Sequence, residues 1–191
     1  MREIIRLSVA VIAPLLLIAA TEKPKPDEMV NNPPFAHWSG FKVGTSVTQK
    51  ETVSLPDGSK VEQTITAKLV EKATDKIVIE TTMRDVGSDV VESEKTTVTY
   101  PAKVKMRNVN TPAAEVGSLT EGKEEVEVKG KKVTAEWVEV TTQRGDWVTV
   151  EKIWTVQDIP GGIIKRTLTR KRGDKVISDS VLELVEFKSG S

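Results

Sequence analysis

The stretch KKVTAEWVEVTTQRGDWVTVEKIWTV, residues 131–156, decides the fold. Apolar and polar residues alternate on both sides of Arg144-Gly145, which is the pattern of half-buried strands joined by a tight turn. This turn predicts that Thr142 lies opposite Trp147. It also predicts that Trp137 lies opposite Lys152. One face of the hairpin is then a core face, formed by Val133, Ala135, Trp137, Val148, Val150, Trp154 and Val156.

The opposite face of this hairpin is also partly apolar. An antiparallel sheet whose second face meets water alternates more cleanly, so we predict a cover: closure of the sheet, a second sheet, a helix or a ligand. If this face lines a groove, its apolar side chains form the floor and its polar ones orient a ligand. The candidate ligand-binding residues are Val138, Val140, Trp147, Thr149, Glu151 and Ile153.

The whole chain has the composition of a β-protein. It contains 27 valines and 21 threonines but only 10 leucines, and β-branched side chains suit a pleated strand better than a helix. Short turns separate the alternating segments, so neighbouring strands are antiparallel. The expected strands, about nine, span residues 43–55, 60–71, 76–84, 89–100, 124–128, 132–143, 147–156, 162–172 and 176–187.

The longest gap between strands is Asn108–Leu119, which we expect to hold a loop or a short helix. A division into separate small domains there is the alternative, but each half would be marginal alone, so one continuous sheet is favoured. The expected fold is all-β and mainly antiparallel. It is a curved meander sheet, an open barrel or a half-barrel, in a single domain of residues 35–188.

Arg-Gly-Asp occurs twice, at Arg144–Asp146 and Arg172–Asp174. Both copies lie where the alternation needs a turn, and glycine permits the positive φ of a hairpin turn, so the turn is favoured over integrin recognition. The second turn predicts that Leu168 lies opposite Ile177, and that Arg166 lies opposite Asp179.

The N-terminus has the pattern of a secretory signal peptide over residues 1–20. Arg2 and Arg6 precede a largely apolar stretch, Leu7–Ala20, which is shorter than the roughly 20 residues of a membrane span. Cleavage is expected before Thr21, the alternative being an uncleaved anchor. Residues 21–34 are proline-rich and are expected to be an extended spacer. The protein is therefore expected to be exported, periplasmic or extracellular, with membrane contact only through the signal.

Composition excludes several classes of function. The 28 Lys and Arg balance 28 Asp and Glu, which argues against nucleic-acid binding. The absence of cysteine excludes disulfides and thiolate metal sites. The only histidine, His37, has no accompanying nucleophile motif and is interpreted as a capping or surface residue. The glutamates near Glu125 lack the pattern of a calcium loop. No catalytic residue, metal or cofactor is predicted.

Trp154 to Lys165 (WTVQDIPGGIIK) resembles a segment of uncharacterised exported β-rich proteins of planctomycete-type bacteria. Two further stretches, GKEEVEVKGK at 122–131 and WSGFKVGTSV at 38–47, are similar to the same proteins. That group implies no activity. In general architecture the chain also resembles the half-barrel lipoprotein carriers of the bacterial envelope. Physically, Pro160 and the glycines after it predict a tight corner between strands.

The expected function is non-catalytic binding or carriage of an apolar ligand, either a lipid or a lipidated partner. The alternative is a structural or adhesive protein of the cell envelope that acts through contacts with other proteins. A carrier requires a groove lined by apolar side chains, whereas a structural protein requires a filled core and a protein-binding surface.

Overall fold

The computed structural model describes residues 28–86, 94–105 and 115–190. The predicted signal peptide and half of the predicted spacer, residues 21–27, therefore lie outside the described residues. The described elements are β1 (Met29–Asn31), α1 (Pro33–Ser39), β2 (Ser46–Ser54), β3 (Lys60–Lys72), β4 (Lys76–Asp85), β5 (Glu94–Pro101), β6 (Lys103–Lys105), β7 (Glu115–Val128), β8 (Lys131–Arg144), β9 (Trp147–Thr155), β10 (Ile163–Arg172) and β11 (Lys175–Lys188).

The long strands form one curved, antiparallel sheet that does not close into a barrel. Its nine strands run in the order β5-β4-β3-β2-β11-β10-β9-β8-β7. The all-β, half-barrel prediction is therefore confirmed. Because β2 pairs with β11, the N-terminal and C-terminal groups of strands join in the middle of the sheet. Strands β5 and β7 are its edges.

Three local features differ from the expectations. Strand β7 begins at Glu115, so the end of the expected gap is strand. The spacer expected to be extended up to residue 34 contains β1, which pairs with β6, and the start of α1. Pro33 begins this helix, since proline at the first helical position has a suitable φ and no orphaned amide.

Of the two predicted registers, one is displaced and the other is wrong. In the first hairpin Arg144 lies opposite Trp147, so the turn is Gly145-Asp146 and the pairing is displaced from the predicted one. The displacement is an even number of residues, so the predicted faces are kept. In the second hairpin Arg166 lies opposite Leu182, and the prediction was wrong. A bulge after Arg170 changes the parity there.

The core lies towards the end of the sheet where α1 packs. Ala135 and Trp154, from the predicted core face, are 0% and 8% exposed. Trp38 of α1 belongs to the same cluster. The buried members of the core are Trp38, Val47, Leu69, Ile77, Ile79, Ala135, Trp154, Ile164 and Leu184.

The connection between β9 and β10 is a compact corner, as its sequence predicts. Gly161 and Gly162 both have φ of 76°, a conformation that side chains other than glycine rarely adopt. A Cβ on Gly162 would lie 2.7 Å from the Nδ1 of His37. The Gly161 N–H also donates to the His37 carbonyl oxygen at 3.3 Å. The corner therefore holds α1 against the sheet by close backbone approach.

Candidate functional site

The six predicted ligand-binding residues lie on one face of the β8–β9 hairpin. Val138 lies opposite Ile153, Val140 opposite Glu151, and Arg144 opposite Trp147, and residues directly opposite each other in an antiparallel pair share a face. Val140 is 7% exposed, whereas Trp147 is 41% exposed. The set therefore runs from a buried centre to an open end at the hairpin tip.

Neighbouring strands continue this face across the sheet. Ile153 lies opposite Arg166, Arg166 opposite Leu182, and Leu182 opposite Glu51. In the next row of this face, Glu151 lies opposite Leu168, Leu168 opposite Ser180, and Ser180 opposite Val53. We call the whole surface the second face; its residues are Glu51, Val53, Val138, Val140, Trp147, Thr149, Glu151, Ile153, Arg166, Leu168, Ser180 and Leu182.

The centre of the second face contains a buried ion pair. Arg166 Nη2 lies 2.9 Å from Glu51 Oε1, and the two side chains are 11% and 5% exposed. Gln63 Nε2 donates to the other oxygen of Glu51 at 2.6 Å. Both carboxylate oxygens are thus satisfied, which is the condition under which a buried charge is tolerated.

Two buried polar atoms of the second face have no hydrogen-bond partner among the described residues. They are the Nε of Arg166 and the Oε1 of Glu151. Burial raises the pKa of Glu151, and the nearby guanidinium groups of Arg166 and Arg170 oppose that shift. An unsatisfied buried donor or acceptor costs about 1–3 kcal/mol. The second face therefore combines an apolar surround with unused hydrogen-bonding capacity.

On the opposite face of β7–β9, the side chains contact one another. Lys152 Nζ lies 4.1 Å from the centroid of the Trp137 ring. The Trp154 indole donates to Glu124, and this bond is the main reason that the pKa of Glu124 is lowered. Within the described ranges, no group of three or more His, Cys, Asp or Glu is placed to hold a metal. Glu124 and Glu125 instead form salt bridges with Lys152 and Lys132.

His37 lies in α1, against the corner, and its burial lowers its pKa. Its imidazole packs on Gly162. A separate cavity of about 180 Å³ lies between the β7–β8 turn and the start of β10. It is smaller than the roughly 300–1,000 Å³ of typical small-molecule pockets. No helix in the described part of the chain is long and apolar enough to cross a membrane.

The residues that sequence reasoning missed at this site are Arg166, Glu51 and Gln63. Arg166 and Glu51 are 115 positions apart in the chain. Their meeting depends on the β2–β11 pairing, which no local pattern of alternation specifies. The only local signal was a charged residue on the apolar side of a strand, at Glu51 between Val47 and Val53.

No protein-family model matches the chain, and no curated protein matches its sequence. The planctomycete resemblance is therefore unsupported. Among solved structures, one similar chain is a Bacteroides fragilis protein described as exported and YmcC-like in fold. Its TM-score is 0.46 at 10% identity, over 78% of this chain and 97% of that one.

Two further solved structures are also similar. The S-type phycobiliprotein lyase of Guillardia theta has a TM-score of 0.36 and 13% identity, over 78% of this chain and 90% of that one. A LolA-superfamily protein of Nitrosomonas europaea has a TM-score of 0.27 and 8% identity, over 83% of this chain and 90% of that one. At these TM-scores the similarities assign neither a family nor a function.

Proposed function

We propose that this chain is an exported, non-catalytic carrier that binds an apolar ligand, a lipid or a lipidated partner, on its second face. The observation that carries the proposal is a pair of buried polar atoms within an apolar surface, Arg166 Nε and Glu151 Oε1, that find no hydrogen-bond partner in the described part of the chain. A buried polar group in a protein is normally hydrogen-bonded. A bound molecule with a polar head would supply the missing partners.

Exposed apolar side chains of the protein offer a binding surface for the apolar part of the ligand. Leu119 lies opposite Val140 and extends the second face onto β7. Leu119 and Trp147 are 43% and 41% exposed, and covering exposed apolar side chains stabilises a complex by about 25 cal/mol per Å². We infer that acyl chains lie along this open end, while the polar head points towards Arg166.

The proposal is tested by titrating the protein with a fluorescent fatty acid and with phospholipids while recording emission. The key variant is Val138→Asn on the second face. Val148→Asn is its matched control, since both valines are half-buried but lie on opposite faces of the same hairpin. We expect saturable binding that Val138→Asn and Trp147→Ala weaken and Val148→Asn leaves unchanged.

A folded protein that binds none of the lipids tested would contradict the proposed carrier function. The structural or adhesive envelope protein would then become the better hypothesis. Circular dichroism of each variant separates lost binding from lost folding.

A further inference from the structure

The two Arg-Gly-Asp turns are neighbours in space and are bonded to each other. Arg172 lies opposite Trp147 in the β9–β10 pairing, so both turns reach the same end of the sheet. Arg172 Nε donates to Asp146 Oδ2 at 2.7 Å. The Gly173 N–H donates to the Asp146 carbonyl oxygen at 2.8 Å. We call residues 143–147 and 170–176 together the tip edge.

The tip edge is cationic in a chain whose overall charge is zero. It carries five Lys and Arg side chains against two carboxylates, Asp146 and Asp174. Asp146 is already neutralised by Arg172. Among the described residues, the remaining cations form no salt bridge; they are Arg144, Arg170, Lys171 and Lys175. Of the neighbouring charges, Asp57 and Lys60 cancel, and Glu115, opposite Gln143, and Asp179, opposite Ser54, reduce the positive excess without reversing it.

The tip edge also presents apolar side chains between these cations. Trp147 is 41% exposed, and its ring centroid lies 5.7 Å from the Arg172 guanidinium. Val176 is 39% exposed and lies opposite Lys171. Tryptophan is enriched at membrane–water interfaces because its ring is apolar and its N–H is polar. Cations beside such a ring complement the negative potential of anionic lipids.

We propose that the tip edge docks on the surface of a bilayer that contains anionic phospholipids. Trp147 inserts at the headgroup level, and the unpaired cations contact phosphates. The open end of the second face then lies at the bilayer, because Trp147 belongs to both surfaces. The tip edge is defined by charge and exposure alone, so this inference does not depend on the carrier function.

The experiment is sedimentation with vesicles of phosphatidylcholine alone and of roughly equal parts phosphatidylcholine and phosphatidylglycerol. The chain from Thr21 onward is used, because the apolar segment before it would bind any bilayer by itself. This chain keeps every described strand and the helix, and its sheet content is verified by circular dichroism. We expect binding to the anionic vesicles that added salt weakens.

The matched variants are R170Q/K175Q at the tip edge and K123Q/K132Q on β7 and β8, towards the other end of the sheet. Each tip-edge cation removed is expected to lower the partition coefficient about fivefold. W147A is expected to lower it further and to remove the blue shift of emission. Equal effects of the two variant pairs, or equal binding to neutral vesicles, would overturn the proposal. So would binding to soluble polyglutamate but to no vesicle, which indicates an acidic protein partner instead.

Discussion

Glu51 is the residue on which the polar centre of the second face depends. Replacing it with alanine leaves Arg166 buried without its ion-pair partner, and such a change costs about 3–5 kcal/mol. We expect Glu51→Ala to lower the free energy of unfolding by this amount, measured by urea denaturation. Glu51→Leu combined with Arg166→Met removes both charges and is expected to recover most of the loss.

The control for this prediction is the exposed pair of Lys50 and Glu62, whose charged atoms are 2.8 Å apart. Solvent screens that pair, so Glu62→Ala should change stability far less than Glu51→Ala. Similar losses for the two variants would mean that burial does not distinguish the pairs.

Glu151 makes the stability of the protein depend on pH in a definite direction. Its folded-state pKa is raised by burial above its ordinary value of 4.5, so the folded protein prefers the protonated form. The stabilisation from this group is complete below the unfolded pKa and is lost as pH rises through the folded one. We therefore expect Glu151→Gln to gain stability relative to wild type as pH rises from about 4 towards neutrality.

The measurement is urea denaturation of both proteins across that pH range. Glu124→Gln, on the opposite face, is the control: the pKa of Glu124 is lowered, chiefly by the hydrogen bond from Trp154, so this variant should not gain stability over the same range. A difference between Glu151→Gln and wild type that stays constant with pH would contradict the assignment.

The tight turns are the elements that hold the tip edge together. Gly145 and Gly173 have φ of 62° and 57°, where a β-branched side chain is strained. Gly145→Val and Gly173→Val should each destabilise by about 1–2 kcal/mol. Thermal melting measures the effect, and Gly40→Val, at φ −71° with no atom near its Cβ position, serves as the unstrained control. Unchanged melting temperatures of the two tip-edge variants would refute the role of these glycines.

Alternation predicted most of the strands because each long strand presents different environments to its two sides. Alternation did not predict the early part of β7, because this strand lies at an edge of the sheet, where Glu121 and Lys123 are exposed and little apolar surface is buried. Helix α1 was not predicted because it is short and starts with prolines. Local pattern therefore locates a strand, but it does not reveal a bulge such as the one after Arg170.

The candidate site could be predicted only in part for the same reason. The six residues of β8 and β9 share a face through one hairpin, and parity alone places them together. Their polar partners arrive from β10, β2 and β3, through a pairing between the two ends of the chain. The energy that selects that pairing comes from packing across the sheet, which a single strand's sequence does not contain.

At the scale of the whole molecule, the junction between β2 and β11 holds two groups of strands together. Three hydrogen bonds reinforce the backbone ladder there. Arg166 donates to Glu51, Gln49 Nε2 donates to the Ile163 carbonyl oxygen at 2.8 Å, and the Gly190 N–H donates to Thr45 Oγ1 at 2.9 Å. The backbone ladder of this junction runs from the Ser46–Lys188 pair to the Ser54–Asp179 pair, with one bulge between Leu184 and Glu186.

This arrangement predicts that the chain can be divided and still assemble. Neither fragment 21–110 nor fragment 111–191 should form a stable sheet alone, because each would expose a long strand, β2 or β11, that is central in the intact sheet. Co-expressed, the fragments should co-elute in size-exclusion chromatography with the sheet content of the intact protein. Glu51→Lys in the first fragment opposes Arg166 and should abolish the complex, whereas Glu62→Lys should not. Fragments that each fold as monomers without associating would show that the halves are independent domains and that the central ladder does not hold them together.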